Sequence, residues 1–262
     1  MELEVNYIDA FTDSIFGGNP AAVILIEDWL SDDLMQSIAA ENNLSETAFS
    51  VKIGDIFHIR WFSPLTEIDF CGHATLASAY VLFNKYADFD TLEFYAKAIG
   101  EFSVCKVDSG FIKMSFPNRK PEPVEIIPDA LIRGLSITPD EVLLSPQAYF
   151  AVYSSEEHVL TVKQDKEHLK KLKPYDVVVT SASKKYDFIS RYFWPANGGD
   201  EDPVTGSIHA GLAPFWAERL GKSKLQAFQA SKRGGHLFCT IDGDRVGISG
   251  KAVKYMSGTI SV

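Results

Sequence analysis

Two short segments carry the residue types that could bind an anion through the backbone. Cys71-Gly72-His73 and Thr205-Gly206-Ser207 each open a run of small and apolar residues that predicts a helix. The first amides of a helix have no acceptor within it, the helix dipole places positive charge there, and glycine lets a ligand approach closely. Each segment therefore predicts a site that could bind a carboxylate or stabilise an enolate-like anion.

The elements that must position these segments follow from apolar periodicity. Residues 31–42 predict a helix, because Ser31 is a capping residue and apolar side chains then recur at helical spacing. The helices that open with CGHAT and TGSIH are apolar nearly all round and must be buried on every face. Gly221 is expected to cap the second of them, and Pro214 to kink it or lie near its first turns. The β-branched segments between helices predict strands, hence an α+β fold in which curled sheets surround central helices.

The chain also repeats itself. FHIRWFSP at 57–64 and FISRYFWP at 188–195 share one pattern, and the segments at 94–116 and 228–250 align without a gap. The offset, which is the difference in residue number between matching positions, is three residues larger for the second pair of segments than for the first. A single insertion in the NGGDEDP loop explains this difference. Two blocks in the same order predict two homologous, pseudo-symmetric halves.

The predicted halves are domains 1–117 and 118–262, and the last strand is able to return to the first domain. The proline-rich stretch at 117–128 is suited to a linker. Duplicated halves that meet at an interface place sites there, so both helix starts are expected to converge on one cleft. Hinge closure over a ligand is expected at the linker and at Gly198-Gly199.

Composition excludes several classes of protein. A formal net charge of −10 argues against a general nucleic-acid binder and against docking on an anionic membrane. The acidic N-terminus and the short apolar runs predict a cytoplasmic protein without a signal peptide or membrane span. Cys71, Cys105 and Cys239 are too few and too scattered for a disulfide framework or a zinc site. No glycine-rich nucleotide motif is present, so no nucleotide cofactor is expected.

Several segments together resemble the PhzF-like isomerase family, which is named for phenazine biosynthesis and shares the two-domain fold of diaminopimelate epimerase. The resemblance covers nearly the whole chain in order. It implies an enzyme that moves a proton on a small anionic, carboxylated substrate without a cofactor or metal, and a homodimer. The segments that carry it are DAFTDSIFGGNPAAVIL, NNLSETAF, FSPLTEIDFCGHATLASA, NGGDEDPVTGSIHAGLAPFW and VGISGKAVKYMSGTI.

The resemblance implies a role for particular residues. Glu46 in SETAF matches the family's acid/base glutamate, and the residues that match its substrate-binding positions are Asn19, Gly72, His73, Asp202, Gly206 and Ser207. Without the motif, Glu46 would be interpreted as a solvated loop carboxylate. At an offset of 131 it falls on Val177, so the second half is expected to lack such a carboxylate.

Alternatives remain open at this stage. Related epimerases use two cysteines, but the spot that corresponds to Cys71 is interpreted as Pro203, so one base and a proton shift on one face are favoured. A racemase or epimerase that uses Glu46 or Asp202 opposite Cys71 is the second hypothesis. A non-catalytic binding or interaction protein that keeps the cleft is the third. The substrate, and whether Cys71, His73 or Asp202 takes part in proton transfer, are not fixed by the sequence.

Overall fold

The first and last strands of the chain pair with each other. Strands β1 (Glu2–Ala10) and β18 (Ala252–Ser261) are antiparallel neighbours in the computed structural model, which describes residues 1–262. The chain accordingly divides into one unit of Met1–Ser115 with Ser249–Val262 and a second unit of Phe116–Ile248. The first division therefore lies two residues before the boundary drawn from the sequence, and the C-terminal strand belongs to the first unit.

The first unit holds two helices and most of the strands that the sequence predicts for it. Ser31 caps the first helix through its side chain, which accepts a hydrogen bond from the Leu34 amide (3.3 Å). The elements besides β1 and β18 are β2 (Asn19–Ile26), α1 (Asp32–Asn42), β3 (Glu46–Ile53), β4 (Ile56–Phe62), β5 (Glu67–Ile68), α2 (Gly72–Lys85), β6 (Thr91–Ala96), β7 (Gly100–Val107) and β8 (Phe111–Pro117).

The second unit holds four helices, three of them short. Its core contains Phe193, Tyr153 and Leu131, all of which are almost completely buried. The elements are β9 (Glu122–Pro123), α3 (Asp129–Gly134), β10 (Glu141–Leu144), β11 (Ala148–Val152), α4 (Glu156–Thr161), α5 (Lys166–Leu169), β12 (Asp176–Ala182), β13 (Phe188–Phe193), β14 (Glu201–Asp202), α6 (His209–Leu220), β15 (Lys224–Gln229), β16 (Gly235–Asp242) and β17 (Arg245–Gly250). The last two residues of β8 fall in the second unit, and the last two of β17 in the first.

The same order of strand pairing occurs within each unit. In the first, β2 and β3 are parallel, β4 is antiparallel to β3 and β5, and β6 is parallel to β4 and antiparallel to β7. In the second, β11 to β16 repeat this pattern, with β13 in the place of β4. The motif that the sequence repeats thus forms β4 and β13.

The helix α2 is buried from its first residue, as its apolar composition predicts. It packs on β1, β2 and β3, and nearly every residue from Gly72 to Ala79 is inaccessible to solvent. Its buried hydroxyl groups are satisfied inside the helix: Thr75 donates to the Cys71 carbonyl (2.6 Å) and Ser78 to the Ala74 carbonyl (2.8 Å). Burying a small polar residue here therefore leaves no hydrogen bond unmade.

The helix α6 begins later than the sequence predicts. Gly206–Ile208 form a tight turn, in which His209 N donates to Gly206 O (3.1 Å) and Ala210 N to Ser207 O (3.1 Å), and the helix proper starts at His209. Gly221 caps its end with a left-handed backbone (φ 63°), as predicted, and Pro214 lies in its interior. No helix in the structure combines the length and the apolar character needed to span a bilayer.

Candidate functional site

In the first unit, three elements bring Glu46 into contact with the start of α2. Glu46 is the first residue of β3 and pairs with Ala21 of the parallel strand β2, whose own first residue is Asn19. His73 is the second residue of α2, which packs on both strands. Strand ends and a helix start therefore place Asn19, Glu46 and His73 together, although 54 positions separate Asn19 from His73.

His73 is the centre of this cluster, because each of its ring nitrogens has a polar neighbour. Nε2 lies 2.9 Å from Glu46 Oε2, and Nδ1 lies 3.1 Å from the Asn19 side-chain amide and 3.4 Å from Cys71 Sγ. Ser45 in turn donates its hydroxyl hydrogen to Asn19 Oδ1 (3.3 Å). The imidazole is therefore held in one orientation against the carboxylate.

Glu46 Oε2 is buried and forms an ion-pair contact with His73 that is not aligned as a hydrogen bond. The glutamate side chain as a whole keeps 15% of its surface exposed. Oε2 faces the imidazole, and the part of the side chain that stays exposed leaves the carboxylate within reach of a ligand that offers a proton. This is the feature that a general base requires.

Burial sets the protonation of the groups beside Glu46. Burial alone lowers the pKa of His73, but the Glu46 carboxylate and the contacts of the imidazole with Glu46 and Cys71 outweigh that effect and hold the pKa well above the ordinary value of 6.5. Burial raises the pKa of the Cys71 thiol to about 11. Cys71 is thus a thiol near neutral pH, which makes it a weak nucleophile and a weak base.

Glu46, Cys71 and His73 are also the residues that could hold a metal ion. Their donor atoms lie within 4.8 Å of one another and are the oxygen, sulfur and nitrogen types that zinc accepts. The spacing of cysteines along the chain does not predict such a set, because two of its three members are not cysteines. Ligation would require the buried Cys71 thiol to lose its proton.

In the second unit, the residues carried over from the family motif lie around the turn that precedes α6. Asp202 ends β14, and its carboxylate accepts a hydrogen bond from the Thr205 hydroxyl. Gln229, the last residue of β15, holds this segment through two hydrogen bonds. Its Nε2 donates to the Asp202 carbonyl oxygen (2.8 Å), and its Oε1 accepts from the Thr205 amide (2.9 Å). Gly206 is buried in the turn, and Ser207 follows it.

Ser207 belongs to a hydrogen-bonded chain that the sequence analysis missed. Gln147 Nε2 lies 3.0 Å from Ser207 Oγ and 3.0 Å from the Tyr192 hydroxyl oxygen. The Tyr192 hydroxyl donates to Asp176 Oδ2 (2.7 Å), whose other oxygen accepts from Asn197 Nδ2 (2.7 Å). The repeat is the only feature of the sequence that points to this hydrogen-bonded chain. Tyr192 lies in the repeated motif FISRYF, at the position that Trp61 occupies in the first half.

Strand register corrects the predicted partner of Glu46. Thr47 pairs with Phe62 across β3 and β4, and Val177 pairs with Phe193 across β12 and β13. Since Phe62 and Phe193 match in the repeated motif, Val177 corresponds to Thr47, and the residue before it, Asp176, corresponds to Glu46. The second half therefore does carry a carboxylate at this place, contrary to the prediction. A one-residue shift between the repeat blocks was invisible in the sequence.

The partner of Cys71 also changes. Glu67 and Glu201 occupy the same place, because they pair with Phe62 and Phe193. Counting on from this pair sets Cys71 against Thr205 instead of Pro203, and His73 against Ser207. Neither Thr205 nor Pro203 is a cysteine, so the argument against a two-cysteine mechanism is unchanged.

The structure brings the predicted site residues together in two groups, one in each unit. Asn19, Glu46, Gly72 and His73 form the first, and Asp202, Gly206 and Ser207 the second. That both groups face one cleft stays a prediction.

Comparison with known proteins gives a consistent result. Residues 8–258 match the family model described as phenazine biosynthesis-like protein (PhzC-PhzF). A Pseudomonas aeruginosa protein named as an uncharacterized isomerase is 47% identical over 260 residues, which are 99% of each chain. The crystal structure of a PhzF family protein from Enterococcus faecalis, 42% identical, covers all of both chains with a TM-score of 0.95. A probable proline racemase from Agrobacterium radiobacter, 8% identical, shares the fold alone, with a TM-score of 0.63 over 99% of this chain and 93% of its own.

Proposed function

The chain belongs to the family of phenazine biosynthesis-like proteins, and we propose that it is a cofactor-independent isomerase in which Glu46 moves a proton between carbon atoms of a small carboxylated substrate. The observation that carries this proposal is the contact between Glu46 Oε2 and His73 Nε2 at 2.9 Å, in a place where the glutamate side chain keeps 15% of its surface exposed. The isomerase name of the Pseudomonas relative supports the reaction class.

In the proposed reaction, the Glu46 carboxylate removes a proton from a carbon that is activated by a neighbouring carbonyl, carboxyl or enol group. The electron pair of the broken C–H bond moves into the conjugated system and gives an enolate-like anion. The Glu46 carboxylic acid then returns the proton to another carbon on the same face, so the carboxylate is regenerated and the substrate is isomerised. No electrons or atoms leave the system, and the reaction needs no co-reactant.

The other carried-over residues are proposed to bind and hold the substrate. Asn19 fixes the imidazole of His73 through Nδ1, and His73 in turn orients the Glu46 carboxylate. Asp202 and Ser207 are proposed to offer polar groups to the substrate, and the amides near Gly72 and Gly206 to stabilise its oxyanion. His73 is thus a positioning residue in this proposal, and its charge also stabilises the carboxylate form of Glu46.

A racemase that uses Cys71 as its second base is less well supported. To remove a proton, Cys71 would have to ionise, whereas burial raises the pKa of its thiol to about 11 and its sulfur contacts His73 Nδ1 at 3.4 Å. One base acting on one face of the substrate is the simpler assignment.

The proposal is tested by proton exchange with solvent. A panel of small carboxylates with acidic C–H bonds is incubated with the protein in D₂O, and deuterium incorporation is followed by NMR. Glu46→Gln is expected to abolish incorporation with every compound that the wild type labels, while Glu41→Gln, an exposed glutamate on α1, keeps it. Full incorporation by Glu46→Gln would overturn the assignment, and binding without any incorporation would favour a non-catalytic ligand-binding protein.

We further propose that the two units are homologous, pseudo-symmetric halves that arose by duplication, each with a curled sheet around α2 or α6, and that the protein is a cytoplasmic homodimer. The shared order of strand pairing supports the duplication. Light scattering tests the dimer: a mass of about one chain, 29.0 kDa, would contradict it.

A further inference from the structure

Four side chains of the second unit form one continuous hydrogen-bonded chain, of which the proposed function uses only Ser207. It runs from Asp176 at the start of β12, through Tyr192 of β13 and Gln147 before β11, to Ser207 in the turn before α6. Its three links measure 2.7, 3.0 and 3.0 Å, which are ordinary hydrogen-bond lengths. Tyr192 is 4% exposed, so the middle of the chain is shielded from water.

The chemistry of the end group fixes the direction of every link. An ionised carboxylate only accepts hydrogen bonds, and Asp176 accepts them at both oxygens, from Tyr192 and from Asn197. Because Tyr192 donates its single hydroxyl hydrogen to Asp176, the Tyr192 oxygen must accept a hydrogen bond from Gln147. Gln147 must therefore turn its NH₂ group, not its carbonyl, toward Tyr192, and the second hydrogen of that NH₂ group is left for Ser207 Oγ.

The last link decides what Ser207 can offer a ligand. A serine hydroxyl has one hydrogen to donate and two lone pairs that accept. Since Gln147 donates into the oxygen, the hydroxyl hydrogen of Ser207 is not needed for that bond. The Ser207 side chain is half-buried and remains partly accessible.

We infer that Asp176, Tyr192 and Gln147 are positioning residues, which hold Ser207 as a hydrogen-bond donor toward an anionic group of the ligand. The inference rests on the proposed function in one respect, namely that Ser207 binds the substrate. Asp176 acts at a distance: its charge orients the Tyr192 hydroxyl, which orients the Gln147 amide, which leaves Ser207 as a donor. Hydrogen bonds in such a chain also polarise one another, which strengthens the terminal donor.

Strand register supports a functional reading of these four residues. Asp176 corresponds to Glu46 and Ser207 to His73, so the chain joins the same two places in the second unit that the ion pair joins in the first. Glu46 and His73 lie in direct contact, whereas the shorter aspartate and serine leave a gap that Tyr192 and Gln147 fill. The half-buried Gln147 and the buried Tyr192 phenol thus have a purpose beyond packing.

The first test examines the chain in the free protein. The two side-chain amide protons of Gln147, observed by ¹H–¹⁵N NMR, are expected to exchange slowly and to respond to different substitutions. Tyr192→Phe should shift one of them and Ser207→Ala the other, because each removes one acceptor. Two protons that exchange like those of an exposed glutamine, or that ignore both substitutions, would overturn the inference.

The second test measures anion binding by calorimetry with malonate as the probe and malonamide as its neutral control. Gln147→Met is expected to weaken malonate binding about threefold to tenfold, the usual worth of one hydrogen bond, and to leave malonamide unchanged. Gln226→Met, an exposed glutamine of β15, is the matched control. In a Ser207→Ala background, Gln147→Met should cause no further loss, because it acts through Ser207.

The outcomes separate this inference from the proposed function. Equal malonate affinity in wild type and Gln147→Met, or additive losses in the double variant, would overturn the inference while deuterium exchange through Glu46 stays intact. A wild type that binds no malonate would overturn the role of Ser207 as an anion donor. If deuterium exchange did not depend on Glu46 while Gln147→Met still weakened malonate binding, only the isomerase proposal would be contradicted.

Discussion

The two units place a carboxylate at the same point of the same strand pattern and surround it differently. In the first, Glu46 opens β3 and meets an imidazole, His73, with one oxygen accepting no hydrogen bond. In the second, Asp176 opens β12, and both of its oxygens accept hydrogen bonds, from Tyr192 and Asn197. A partly exposed carboxylate beside an imidazole is suited to exchange a proton, whereas one that accepts hydrogen bonds from a phenol and an amide is suited to orient its neighbours.

The difference shows that position in the scaffold does not by itself give a carboxylate its role. The register is the same, and the two carboxylates differ in the residues that surround them. The buried histidines differ in the same way: His73 faces a carboxylate, while His209 donates through Nδ1 to the Thr205 carbonyl (2.9 Å) and has no charged partner. The first unit's cluster joins a carboxylate to a histidine, whereas the second unit's joins carboxylates to uncharged donors.

Replacing the two carboxylates should have the largest and most unequal effects. Glu46→Gln removes the proposed base and is expected to lower the rate of deuterium incorporation about 10²- to 10⁴-fold. Asp176→Asn removes only an orienting charge and is expected to lower that rate less than about tenfold. Equal losses in the two variants, measured with the same substrate in D₂O, would mean that the two carboxylates do not have separate roles.

The two buried histidines should give stability opposite dependences on pH. Burial lowers the pKa of His209 to about 4, so its contribution to the free energy of unfolding is full above about pH 6.5 and is lost as the pH falls toward 4, a change of about 3 kcal/mol. The pKa of His73 is raised, so its contribution is full below about pH 6.5 and is lost as the pH rises through the folded-state pKa.

Urea unfolding between pH 4.5 and 9 measures both effects. His209→Gln should remove the loss of stability on the acid side, and His73→Gln the loss on the alkaline side. Only the slopes with pH are compared, since either variant can also change the overall stability. Parallel pH profiles in the wild type and both variants would show that the two histidines do not differ in charge.

A third comparison concerns the repeated arginine of β4 and β13. Arg60 forms a bidentate ion pair with Glu67, and Arg191 forms one with Glu201. Arg191 is the more buried of the two arginines and also donates to two backbone carbonyls. Arg191→Met is expected to cost about 2–3 kcal/mol, because buried acceptors lose their donors. Arg60→Met should cost about 1 kcal/mol, as for a more exposed pair. The denaturant midpoints of the two variants measure these losses of stability. A larger loss in Arg60→Met than in Arg191→Met would contradict the burial argument.

The smallest effect is expected at Cys71. Its thiol is buried and protonated near neutral pH, so Cys71→Ala should change the rate of proton transfer by no more than about threefold. Thr205→Val, at the corresponding place in the second unit, removes the hydroxyl that donates to Asp202 and should raise KM more than it lowers kcat. A large loss in Cys71→Ala would revive the racemase hypothesis.

Much of the local structure could be predicted from residue types. Ser31 and Gly221 cap helices where the sequence places them, and the uniformly apolar stretch after Gly72 is a buried helix. The start of α6 could not be predicted, because the small residues of Thr205–Ser207 are compatible with a helix or with a turn, and hydrogen bonds from Gln229 select the latter arrangement.

The candidate site could be predicted in part. The family motifs indicate Glu46, His73, Asp202 and Ser207, and the repeat indicates that two halves exist. Asp176 carries no signal in the sequence. Aligning the two halves by a constant difference in residue number matches only segments with similar residues, and β12 has almost no residues in common with β3. Hydrogen bonding between strands sets the register instead, and it shifts the counterpart of Glu46 by one residue.

The family, the helix caps, the buried helices and the strands of the repeated motif follow from residue types and motifs, because they depend on interactions among neighbours along the chain or on motifs that span it. The contacts of Glu46 with His73 and of Asp176 with Tyr192 arise only on folding. These contacts join residues far apart in sequence, and their geometry depends on how strands pair and helices pack. The carboxylate beside an imidazole and the carboxylate that accepts from a phenol and an amide are therefore distinguished only in the folded chain.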